Sequence, residues 1–156
     1  MRLVNLKSAL GLLGACCLLL LAAPVQALEV TELKLPSANK VVIKVRFRNG
    51  SIADPAQRLG LTFATANLMT QGGAGGRGYA EIQDILFPWA ASYNALVDKE
   101  VTTFTFRVPA DFAEDFYPIV RDVLLAPNFD AADFSRVMKQ QQNFVDQVIR
   151  ASSDED

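Results

Sequence analysis

The chain has 156 residues, with 15 basic and 17 acidic side chains, two cysteines and no histidine. A formal net charge of −2 without a basic patch argues against nucleic acid as a partner. The missing histidine removes any Ser-His-Asp triad and any imidazole metal ligand, and the length suits one domain with its own core. Taken from the start, residues 1–27 read as a secretory signal peptide. Arg2 and Lys7 form a basic start, an apolar run extends from Ala9 to Ala23, and Val25-Gln26-Ala27 supplies small residues before a cleavage point. The run is short for a membrane span and no basic stop-transfer flank follows it, so no stable membrane span is expected. Leu13-Gly14-Ala15-Cys16 resembles a lipobox, which makes lipoprotein anchoring at Cys16 the alternative, but the apolar run continues past it. The expected destination is therefore export across the inner membrane to the periplasm. Both cysteines, Cys16 and Cys17, fall inside the signal, so the exported chain would carry no disulfide and no thiolate ligand. Losing Arg2 and Lys7 leaves 13 basic against 17 acidic side chains, a net charge of −4.

Residues 28–156 are expected to form the folded domain. Leu28 to Leu35 alternates loosely and suggests a first strand. Val41 to Arg48 alternates cleanly, placing Ile43, Val45 and Phe47 on one face and Lys44, Arg46 and Arg48 on the other, as in a half-buried antiparallel strand. After the turn signals Asn49-Gly50-Ser51 and Asp54-Pro55, an Ala- and Leu-rich helix is predicted from about Gln57 to Thr70, ending at Gly72-Gly73. The glycine-rich stretch to Gly78 reads as a flexible linker, and a short helix from Tyr79 to about Phe87 is closed by Pro88. Ala91–Val97 and Val101–Val108 read as a hairpin through Asp98-Lys99-Glu100, with Thr102, Phe104, Phe106 and Val108 on one face. Phe112, Phe116, Val120, Val123 and Leu124 then repeat at helical spacing behind Asp111, and Pro127 ends that helix. A last helix is predicted from about Ala131 to Ala151, with Phe134, Val137, Met138, Val145, Val148 and Ile149 on its apolar side. The order ββ-αα-ββ-αα argues an α+β fold, an antiparallel sheet with helices packed on one face.

Four pieces in this order resemble the pitrilysin/insulinase family of zinc metallopeptidases. They are Val45-Arg46-Phe47-Arg48-Asn49-Gly50-Ser51 with Asp54-Pro55; the helix from Gly60 to Gly72-Gly73; Tyr79-Ala80-Glu81-Ile82 ahead of Ala90-Ala91-Ser92; and Leu124-Leu125-Ala126-Pro127-Asn128-Phe129 with Phe134-Ser135-Arg136. The resemblance implies an incomplete domain of that family, one that stops short at its C-terminal end. It also implies a His-x-x-Glu-His motif on the helix after the first hairpin, two histidines holding zinc and the glutamate activating its water. Aligned on Gly60 and Gly72, the ligand positions fall on Phe63 and Asn67 and the base position on Ala66. A phenyl ring and a methyl group cannot replace an imidazole, Ala66 cannot accept a proton, and an amide oxygen is a poor zinc donor. The third ligand, a glutamate on a later helix, would fall near Asp146, and a lone carboxylate cannot hold the metal. No cofactor is therefore expected in this chain, although the resembled family uses zinc.

The function expected on these grounds is a non-catalytic, insulinase-like unit that binds a peptide or unfolded polypeptide, or that completes a homologous peptidase subunit or a missing C-terminal half. Two alternatives stand beside it: an active zinc metalloendopeptidase of unusual ligation within a longer chain or complex, and a truncated product without independent function. Other signals are weaker. Gly73-Ala74-Gly75-Gly76-Arg77-Gly78 matches Gly-x-Gly-x-x-Gly, but a helix rather than a strand precedes it, against a dinucleotide site. Asp98, Lys99 and Glu100 read as a solvated turn. Ser51, Ser92 and Ser135 have no histidine to activate them.

Overall fold

The computed structural model describes residues 29–144 and 146–147. Contacts divide the chain into two units after Pro36. In the first, residues 29–36 form no regular element. Val30, Leu33 and Leu35 are exposed, and Lys34 lies 3.4 Å from Glu32. The strand expected over Leu28–Leu35 is thus corrected over its described part. Its alternation slips between Val30 and Leu33, so these side chains cannot share one buried face of a strand.

The second unit is α+β. Its elements are β1 (Lys40–Phe47), α1 (Leu61–Gln71), α2 (Tyr79–Leu86), β2 (Ser92–Val97), β3 (Thr102–Pro109), α3 (Ala113–Leu125) and α4 (Ala131–Phe144). The three strands form one antiparallel sheet in the order β1-β3-β2. Register sets the two faces. Ile43, Phe106 and Tyr93 stand in one row, and Val45, Phe104 and Ala95 in the next, all toward the helices. The rows between them, Lys44-Thr105-Asn94 and Arg46-Thr103-Leu96, face the other way. This is the period-two pattern read from Val41–Arg48 and Val101–Val108. Phe47, at the end of β1, stays half exposed while meeting Phe104 edge-on at 5.8 Å.

The core lies between β3 and the helices. Phe104, Phe106 and Val108 pack with Phe116, Ile119, Val120 and Val123 of α3 and with Ile82 and Leu86 of α2. Phe106 touches Tyr93 at 5.7 Å and Phe116 at 6.4 Å between ring centroids. Trp89 stacks on Phe112 at 5.8 Å, closing the end of the sheet near α3. On α4, Val137 is fully buried and Phe134 is half exposed; Val145, Val148 and Ile149 lie outside the described residues.

The loop after β1 is tied down by main-chain bonds. Ser51 and Ile52 donate their N–H groups to the carbonyls of Asp98 and Lys99, each at 2.9 Å, so the charged hairpin tip anchors this loop. A Cβ at Gly50 would run into those same carbonyls, which accounts for glycine there. Helix α1 begins at Leu61, later than the expected Gln57, because Asp54 organises its start. One Asp54 oxygen accepts from the Gly60 N–H at 2.7 Å, and the other from the Thr62 N–H at 2.9 Å and the Thr62 hydroxyl at 2.5 Å. Gly60 takes φ 88 at the cap, a left-handed conformation in which glycine is at ease. The Thr62 hydroxyl, followed by its backbone N–H, holds the Asp54 carboxyl below its ordinary value of 3.8. A lowered folded-state pKa stabilises the fold above the unfolded value, and that stability is lost as pH falls through the folded value. Asp54→Asn is therefore expected to be less stable than wild type at pH 7 and to lose less on acidification toward pH 3. Urea midpoints at the two pH values check this; an equal acid loss in both proteins would contradict it.

The glycine-rich stretch is a clamped turn, correcting the expectation of a flexible linker. Ala74 and Arg77 exchange N–H and carbonyl bonds at 3.0 Å around Gly75 and Gly76, which sit at φ 61 and φ 79. The α3–α4 connection grips it from outside. Gly75 donates to the Ala126 carbonyl at 2.9 Å, Asn128 donates its N–H to Gly73 at 2.9 Å, and the Asn128 amide bonds both Gly76 and the Arg77 carbonyl. Asp133 accepts from the Gly73 N–H at 3.0 Å and from Arg136, whose guanidinium also donates to the Gln71 carbonyl and lies 4.7 Å over the Tyr79 ring.

Candidate functional site

Helix α1 carries the positions to which the resemblance assigns metal chemistry. A helix repeats every 3.6 residues, so Phe63 and Asn67 fall on one face a turn apart, and Ala66 turns toward the sheet. Ala66 is buried in the core. Phe63 is half exposed at 46%, while its helix neighbours Ala66 and Leu68 are buried. Asn67 is half-buried, and both ends of its amide are engaged within the helix. Its Nδ2 donates to the Phe63 carbonyl at 2.8 Å, and its Oδ1 accepts from Gln71 Nε2 at 3.0 Å. Thr70 donates its hydroxyl to the Ala66 carbonyl at 3.1 Å.

These donors do not suit zinc. A phenyl ring, a methyl group and a committed amide offer neither the nitrogen nor the sulfur that the ion favours. Among the described residues, no group of three or more His, Cys, Asp or Glu side chains comes close enough to hold a metal ion. Asp146 lies just beyond α4, half-buried and engaged with a neighbour.

What α1 does border is a cleft of about 250 Å³ between it, α2 and β2. Asn67, Thr70 and Gln71 come from α1, and Tyr79 and Gln83 from α2; β2 contributes Ser92, Tyr93, Asn94 and Ala95. Each is placed by features already described. The Gly73–Gly78 clamp sets the angle between α1 and α2, and Arg136 holds the C-terminal carbonyl of α1 and the ring of Tyr79 together. Tyr93 stands on the helix-facing side of β2 because it is in register with Phe106 and Ile43. Its hydroxyl is buried and has no hydrogen-bond partner among the described residues. Burial first, and then the phenol of Tyr79, pushes its ionisation up to about 12, while Gln83 opposes the shift without reaching hydrogen-bond geometry. The phenol therefore stays a neutral donor.

The cleft opens at a strand with a single partner. Among the described residues β2 pairs only with β3, so its second edge is not used by any other strand of the sheet. Of the residues singled out in the sequence, Asn67, Tyr79 and Ser92 meet here, while Phe63, Ser51, Ser135 and Asp98 do not line the cleft. Gln83 and Tyr93 escaped notice. The available signal was a phenol at a core-facing position of a short strand, between two alanines.

Among the described residues no helix is long and apolar enough to cross a membrane. The sequence model of the family described as Insulinase (Peptidase family M16) matches residues 30–154. No curated protein matches the chain.

Proposed function

The chain belongs to the insulinase family, peptidase family M16, and on that premise we propose that it is a non-catalytic member that binds extended peptide. The family is zinc-dependent, acts on peptides and often pairs homologous subunits. One observation carries the reading: where α1 would present ligands and a base, its side chains are Phe63, Ala66 and an amide locked to its own helix, yet the cleft beside them opens at a strand edge. An unpaired edge offers main-chain donors and acceptors to an added strand, which binds peptide without any chemistry on it. The unit acts after export, residues 1–27 being its signal, as a partner to a histidine-bearing homologous subunit.

The test joins three measurements on the purified protein. Calorimetric titration with zinc is expected to show no stoichiometric site. Incubation with unfolded polypeptide is expected to give no chelator-sensitive cleavage, and fluorescently labelled extended peptides are expected to bind. Stoichiometric zinc that is lost in Asn67→Ala or Asp146→Ala, together with chelator-sensitive cleavage, would establish a peptidase of unusual ligation instead.

A further inference from the structure

The face of the sheet turned away from the helices carries charge of one sign. Its rows are Lys40 beside Pro109, Val42-Arg107-Ser92, Lys44-Thr105-Asn94 and Arg46-Thr103-Leu96. Four cations stand there with no aspartate or glutamate, although the chain as a whole has an acidic excess. All four are exposed, and among the described residues none is ion-paired. Lys40, Lys44 and Arg46 lie along β1, but Arg107 is on the central strand, where protection of a bare edge does not account for it. Its guanidinium leans across β2. Arg107 is level with Ser92, and its Nη1 donates to Asn94 Oδ1 at 2.9 Å, which leaves most of its N–H donors unspent. On the helix side of β2, by contrast, Arg136 is already engaged with Asp133 at 2.7 Å and with the Gln71 carbonyl. A charge carried by an added strand is therefore read on the outer side.

A peptide added to the edge of β2 that no described strand uses lies about 4.8 Å beyond it and turns every second side chain to this outer face. Next to Ser92 and Asn94 such a side chain comes within reach of the Arg107 guanidinium, with Lys44 and Arg46 adding positive potential from β1. We infer that the outer face beside β2 selects extended peptides with carboxylates at alternate positions, Arg107 pairing with a glutamate or aspartate next to Asn94. The planar fork of an arginine suits a carboxylate. A lysine there would add a cation to a face without counter-charge, and a neutral side chain gains nothing from the field. The inference rests on the peptide-binding reading and names the class of peptide.

The test uses labelled decapeptides in which threonine alternates with glutamate, glutamine or lysine. Fluorescence anisotropy on the purified protein at low salt is expected to show the glutamate peptide binding about tenfold tighter than the glutamine one, with the lysine peptide weakest. In about 1 M salt, where the Debye length is about 3 Å, that preference should fall to about twofold or less. Arg107→Gln should reduce it to about threefold or less at low salt, with thermal stability near wild type because the side chain is exposed. Arg107→Lys, which keeps the charge without the fork, should hold an intermediate preference. Equal affinities, or tighter binding of the glutamine or lysine peptide, would overturn the selectivity while leaving peptide binding intact. A preference that survives Arg107→Gln would overturn the role of Arg107. If that preference were lost instead in the double variant Lys40→Gln with Lys44→Gln, the peptide would lie on the edge of β1. Failure of all three peptides to bind would overturn the peptide-binding reading and the selectivity with it.

Discussion

Phe106→Ala is expected to bring the domain to the edge of unfolding, with a loss of about 3–5 kcal/mol. Phe106 is fully buried on the central strand, and its ring meets Tyr93 on β2 and Phe116 on α3. Truncation removes the transfer free energy of the ring. It also leaves a cavity that a strand bonded on both sides cannot close by moving. Domains of this size have total stabilities of about 5–15 kcal/mol, so most of the margin goes at once. Leu96→Ala provides the contrast: Leu96 is apolar too, but 66% exposed on the far face of the sheet, and its loss should stay within about 0.5 kcal/mol. Urea titration followed by far-UV circular dichroism reads both. A Phe106→Ala loss below about 1 kcal/mol would mean that β3 does not organise the core as described.

A glycine series should rank by what a methyl group meets. At Gly73 a Cβ would collide with the Arg77 carbonyl oxygen and approach the Asn128 amide nitrogen to 2.7 Å, both inside the clamp. Gly73→Ala is therefore expected to cost about 3 kcal/mol, because the turn must open and release its bonds to the α3–α4 connection. At Gly76 there is open space but φ is +79, so alanine there should cost about 1–2 kcal/mol of left-handed strain. At Gly78 there is open space and an ordinary φ of −72, and the change should be near neutral, within about 0.5 kcal/mol. Thermal denaturation of the three variants measures the order. If Gly73→Ala were as mild as Gly78→Ala, the stretch would be the loose connector that its composition suggests.

That composition shows where sequence reading stops. Period-two patterning in Val41–Arg48 and Val101–Val108 revealed both strands and their faces, because a half-buried strand writes its burial into alternate residues. The helical spacing of Phe116, Val120 and Val123 did the same for α3, all three being buried. Leu28–Leu35 has strand-like composition without a consistent face, and composition alone does not pair a strand. The Gly73–Gly78 clamp was hidden because its partners, Asn128 and Asp133, lie far along the chain. Nothing local distinguishes a glycine run gripped by distant side chains from a free one. For the site, the sequence pointed to Phe63, Ala66 and Asn67 through the resemblance alone, by aligning them with the positions of ligands and base. It could not show that Gln83 and Tyr93 border the same space as Asn67, since only the packing of α1 and α2 on β2 brings them together.

The strand order has a consequence for how this chain comes together. Strand β1 is made first, but among the described residues its only strand neighbour is β3, with Lys40 opposite Pro109 and Phe47 opposite Thr102. The β2–β3 hairpin closes locally and quickly, whereas β1 must wait for that hairpin and then close a long loop onto it, the slower kind of contact. During the wait β1 is an apolar strand with both edges bare, the state in which chains aggregate. Lys40, Lys44 and Arg46, all on the face that never enters the core, then act before the fold exists: repulsion between their charges discourages two nascent copies from pairing through β1.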